Sequence, residues 1–70
     1  MNRESVQSSM ITSIGYEPDT STLEIEFSST GAVWQYYDVP ENVYHEMLSG
    51  SIGKYFNANI KDQYAESQVG

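Results

Sequence analysis

Apolar and polar residues alternate along the first half of this chain and recur at helical spacing along the second. Val6, Met10, Thr12, Ile14 and Tyr16 share one parity, and Gln7, Ser9, Ser13 and Gly15 the other. That is the pattern of a half-buried strand over Val6 to Tyr16, with Ile11 falling on its outer face. Glu17-Pro18-Asp19-Thr20 supplies a turn, because proline presets φ and aspartate bonds its own following backbone. Leu23, Ile25 and Phe27 then alternate with Glu24, Glu26 and Ser28 in a second strand. Ser28-Ser29-Thr30-Gly31 reads as a loop, and Ala32 to Val39 as a third strand. With Ser29 to Ala32 taken as the hairpin loop, Phe27 faces Trp34, Ile25 faces Tyr36, Glu26 faces Gln35 and Glu24 faces Tyr37. Apolar–aromatic pairs of this kind stabilise a sheet by roughly 0.2–1 kcal/mol each, which selects this register over a one-residue slip. It assigns Trp34 and Tyr36 to the core, and Ile11, Glu24, Glu26, Gln35 and Tyr37 to a solvent-facing side.

Val39-Pro40 ends the sheet pattern and opens a helix, since proline suits a first helical turn. Val43 with Met47 and Tyr44 with Leu48 are apolar pairs four apart, and Gly50 stops the helix. Ser51 can cap a second helix, on which Ile52, Phe56, Ile60 and Tyr64 form an apolar stripe. Strands first and helices after predict an α+β fold: a three-stranded antiparallel β-meander with two short helices packed on one face. The whole chain is one domain. Its ordered core runs from Val6 to Tyr64, with loose ends at Met1 to Glu4 and Ala65 to Gly70.

Charge narrows the choice of partners. Ten acidic and three basic side chains give a formal net charge of −7. Such a surface favours solubility and basic partners, and disfavours non-specific contact with nucleic acid or anionic lipid. There is no cysteine, so thiol catalysis, disulfides and thiolate metal sites are excluded. No apolar run is long enough for a membrane span, and a cytoplasmic location is expected. His45 is the only histidine, and no motif marks a nucleophilic serine. The expectation is a protein that is not an enzyme and carries neither cofactor nor metal.

Two sets of residues carry candidate binding chemistry. Ser51-Ile52-Gly53-Lys54 places a hydroxyl, free backbone N–H groups, a residue without a side chain and a cation at one helix start, the chemistry of an anion site. Gly53 costs the helix about 1 kcal/mol against alanine, so it implies a close approach, by a ligand or by the protein itself. Asn57 and Lys61 extend this face, because Lys54 and Lys61 are seven apart. The candidate binding face is thus Ser51, Gly53, Lys54, Asn57 and Lys61. The alternative is an acidic strand face of Glu24, Glu26 and Tyr37, suited to a basic protein partner. The run Trp34-Gln35-Tyr36-Tyr37 also has the content of a base-stacking platform, but the register favours core packing for Trp34 and Tyr36. A homodimer through the free edge of the first strand is open.

The order of several short segments resembles the KTSC domain family. They are Ser8-Ser9 with Ile11, Ile14-Gly15-Tyr16, Leu23-Glu24-Ile25-Glu26-Phe27, Trp34-Gln35-Tyr36, Tyr37-Asp38-Val39-Pro40, Val43-Tyr44, and Ser51-Ile52-Gly53-Lys54-Tyr55-Phe56-Asn57 with Ile60. Family members occur alone in bacteria and phages, and at the C-terminus of some lysyl-tRNA synthetases. The resemblance implies a non-enzymatic accessory module with no catalytic residue, and suggests RNA as a partner. This chain has Trp34 where the family usually has the first tyrosine of its central element.

Overall fold

The alternation of Leu23 to Phe27 builds the centre of the sheet, and each neighbouring segment is added by an antiparallel pairing. The computed structural model describes residues 1–70. Its strands are β1 (Glu4–Ser5), β2 (Ile11–Glu17), β3 (Thr22–Phe27), β4 (Val33–Tyr36) and β5 (Glu66–Gln68). They lie side by side in chain order. Between β4 and β5 come α1 (Glu41–Leu48), α2 (Ile52–Tyr55) and a π-helical turn over Phe56–Ile60 that continues α2. The α+β class and the two short helices stand; the sheet has five strands rather than three.

The two additional strands come from the segments expected to be loose ends. Glu4 pairs with Ile14 and Ser5 with Ser13, so β1 covers part of the β2 edge. At the other end β5 pairs with β4, and the Val33 N–H donates to the Gly70 carbonyl at 3.1 Å. Both segments are polar and short, so no periodicity marks them; their hydrogen bonds to an existing edge create them.

The core is Ile11, Ile14, Leu23, Ile25, Tyr36, Val39, Met47, Phe56 and Ile60, in one cluster. Ile11 is fully buried rather than outward-facing. A bulge accounts for it. Ile11 lies opposite Phe27 and Ile14 opposite Ile25, so three steps along β2 match two along β3. The extra residue is Thr12, which is exposed, and beyond it the side-chain alternation inverts. The β3–β4 register also differs from expectation. Ile25 faces Trp34 and Leu23 faces Tyr36, two residues from the expected pairing. The loop is Ser28 to Gly31, closed by Gly31 at φ 72° and by the Phe27 N–H on the Ala32 carbonyl. Glycine takes that left-handed conformation without strain. A slip of two preserves the faces, so Tyr36 is buried as expected and Trp34 half-buried. β4 ends at Tyr36, short of Val39, and Asp38 turns the chain at φ 58°.

The helical stripe survives by a change of pitch. Residues four apart overshoot an α-helical turn by roughly a tenth of a turn, and the wider π turn takes that overshoot back. Phe56 and Ile60 are both buried, and the Lys61 N–H donates to the Phe56 carbonyl at 2.9 Å. The helix ends there, so Tyr64 packs from a turn instead.

Candidate functional site

The segment linking β1 to β2 crosses the start of α2 and makes one wall of a polar groove. It holds its shape through Ser8, whose Oγ accepts the N–H groups of Met10 and Ile11, each at 3.3 Å. Gln7, Ser8, Ser9 and Met10 on this wall face Ser51, Gly53, Lys54 and Asn57 across about 460 Å³. Four of the five residues of the expected binding face thus meet in one place. Lys61 does not join them, because the helix ends at Ile60 and Lys61 leaves it in an extended conformation, ψ 128°. Alternation alone puts Gln7 to Met10 inside a strand and so does not reveal this second wall. The adjacent serines were the available signal, since their hydroxyls bond nearby backbone and favour turns.

Two glycines clarify what the groove needs. A Cβ on Gly15 would lie 2.6 Å from the Asn2 carbonyl oxygen, so the segment leading into β1 can approach only a glycine. A Cβ on Gly53 would make ordinary contacts of 3.7 Å with Met10 Cβ and Ser8 Oγ. The protein's own packing therefore does not require Gly53, and its missing side chain leaves the groove floor open.

A second concavity of about 340 Å³ adjoins the groove, with Met10 and Asn57 lining both. Phe27, Trp34, Tyr36 and Phe56 give it an aromatic lining, and Lys61, Asp62 and Glu66 are also there. The Phe56 ring meets Phe27 and Tyr36 edge-on, at 5.3 and 5.5 Å between centroids. Tyr36 is only 3 % exposed. Burial first, and then the nearby charges of Glu66 and Asp62, push its phenol up to about 12.

The acidic strand face is not the open surface expected. Glu24 is 6 % exposed. It pairs with the Arg3 guanidinium and accepts the Gln35 Nε2 at 2.9 Å. Burial works to raise its carboxyl, but the hydrogen bonds from Gln35 and Arg3 and the Arg3 charge outweigh it, leaving the group below its ordinary value. Glu26 accepts the Ser13 hydroxyl at 2.8 Å, and the Tyr37 hydroxyl donates to Gln35 at 3.1 Å. The pairing of β1 with β2 brings Arg3, the residue just before β1, over this face. His45 lies exposed on α1, 3.2 Å from Glu41. No three His, Cys, Asp or Glu side chains are grouped so as to hold a metal ion. No helix is long and apolar enough to cross a membrane.

The family model described as the KTSC domain matches residues 7–64. The chain belongs to the KTSC domain family. It superposes on the crystal structure of a KTSC domain protein from Yersinia pestis with a TM-score of 0.94, at 40% identity, covering 99% of this chain and 97% of that one. An uncharacterised protein of Stutzerimonas stutzeri is 43% identical over 65 residues, 91% of this chain and 90% of its own. A lysine–tRNA ligase of a Nostoc species is 39% identical over 64 residues, which are 90% of this KTSC chain but 11% of the ligase.

Proposed function

We propose that this KTSC domain is a non-catalytic accessory module that contacts RNA through the groove between Gln7–Met10 and Ser51–Asn57. The observation that carries this reading is the groove itself: hydroxyls of Ser8, Ser9 and Ser51, the Asn57 amide and the Lys54 ammonium converge over a glycine that packing does not demand. Lys54 makes no ion pair with any carboxylate of the protein, so its charge is free for a phosphate. Likeness to a segment of a lysine–tRNA ligase supports RNA as the partner. The acidic-face alternative loses support, because Glu24 is covered and already paired.

One lysine in the groove makes the contact weak. A single-strand phosphate contact contributes about −0.7 to the slope of log K against log salt, so the measured slope is of order −1. Fluorescence anisotropy of labelled tRNA tests the reading. Binding that weakens with that shallow slope and is lost in Lys54→Glu supports it. Binding unchanged in Lys54→Glu, or none at low salt, refutes it.

A further inference from the structure

We infer that the aromatic hollow beside the groove is a recognition site for an arginine side chain presented by a basic protein segment. Four aromatic residues from β3, β4 and the π turn line it, and the Asp62 and Glu66 carboxylates stand there with them. Neither carboxylate is in an ion pair, and Lys61 next to them forms none. Tyr36 is almost wholly buried and lines the hollow, and its hydroxyl, which bonds to no group of the protein, is not sealed off from solvent. The hollow thus offers two carboxylates and a phenol oxygen as acceptors at the edge of aromatic surface. A guanidinium is the complement of that set. It is planar, stacks on aromatic faces, and presents five N–H donors in a fork that suits carboxylates. Lysine, a hydrated point charge, fits the acceptors but not the flat lining.

Charge argues in the same direction. Asp62 and Glu66 outnumber Lys61 in the lining, two negative charges to one positive, and after burial they add to the rise of the Tyr36 phenol. The chain as a whole carries −7. A phosphate would meet repulsion here that it does not meet in the neighbouring groove, where no carboxylate is present. The inference stands apart from the RNA reading, because it concerns a different concavity and a ligand of opposite charge.

The chain has one tryptophan, and it lies in the hollow, so its fluorescence reports occupancy directly. The experiment is a titration with Gly-Gly-Arg-Gly-Gly and with the same peptide carrying citrulline, an uncharged isostere of arginine. The expected result is a saturable Trp34 response to the arginine peptide, with amide shifts at Trp34, Asp62 and Glu66, and affinity for citrulline lower by about tenfold or more. The Asp62→Asn, Glu66→Gln double variant loses the preference for arginine, and Lys54→Ala retains it. Asparagine tolerates the positive φ of 63° at position 62. The wild-type peptide comparison holds even if that variant fails to fold. Equal responses to the two peptides, or no saturation with arginine, overturn the inference. So does a Trp34 response to an oligonucleotide alone, which would put a base in the hollow instead.

Discussion

The groove and the hollow share Met10 and Asn57, yet they are built in opposite ways. The groove is polar, its helical wall comes from one short run of sequence, and its floor is a glycine that nothing in the packing requires. The hollow is aromatic, drawn from β3, β4, the π turn and the start of β5, and its rings belong to the core (Tyr36, Phe56) or pack against it (Phe27, Trp34). The difference teaches where change is tolerated. Ser51, Gly53, Lys54 and Asn57 on the helical wall can be altered with little cost to folding, whereas the floor of the hollow cannot be touched without weakening the domain.

The strongest way to break this contrast is Phe56→Ala. Its ring joins Phe27, Tyr36 and the rest of the core, and truncation of a buried phenylalanine costs about 3–5 kcal/mol. A domain of this size has little stability to spare, so thermal or urea unfolding should show a variant largely unfolded at room temperature.

Arg3→Ala is next. It strips a buried carboxylate of one partner, and an unsatisfied charged group costs about 1–3 kcal/mol or somewhat more. The sign with pH follows from Glu24. Its carboxyl is lowered in the folded state, so its contribution is present above the ordinary value of 4.5 and is lost as pH falls through the lowered folded value. Urea midpoints across that acid range should fall in the wild type and fall less in Arg3→Ala. An unchanged pH dependence would remove Glu24 from the account.

The two glycines sharpen the contrast further. Gly53→Ala should raise stability by about 1 kcal/mol through helix propensity while weakening RNA binding. Gly15→Ala should destabilise, since its Cβ meets the backbone of Asn2. Smallest of all, Lys54→Ala should leave the unfolding midpoint within about 0.5 kcal/mol of the wild type and still reduce RNA affinity.

These regions also differ in how legible they were from sequence. The helical wall of the groove was readable because Ser51, Gly53, Lys54 and Asn57 sit within one turn or two of each other. The opposite wall was not, because Gln7 to Met10 continued an apparent alternation that really ends at the Thr12 bulge. A bulge shifts parity by one without leaving a mark in composition, which is why Ile11 seemed outward-facing. The register of β3 and β4 was right in parity and two residues off, since apolar–aromatic pairing is satisfied equally by either alignment and only Gly31 decides between them. The hollow was illegible for a different reason. It depends on β5, a polar strand formed by pairing with β4, and on a π turn that sequence spacing does not distinguish from an α-helix. Glu24 shows the same lesson on the other face, where its alternation looked solvent-facing until the pairing of β1 with β2 laid Arg3 across it.

The central claim, that the polar groove is where RNA is met, is tested most directly by amide NMR of the labelled domain titrated with tRNA at low salt. The account predicts shifts at Ser8, Ser9, Ser51, Gly53, Lys54 and Asn57 that fade as salt is raised, with Trp34 and Glu66 unmoved. Flat spectra from the folded domain, or shifts confined to the hollow or to the Glu24 face, would contradict it.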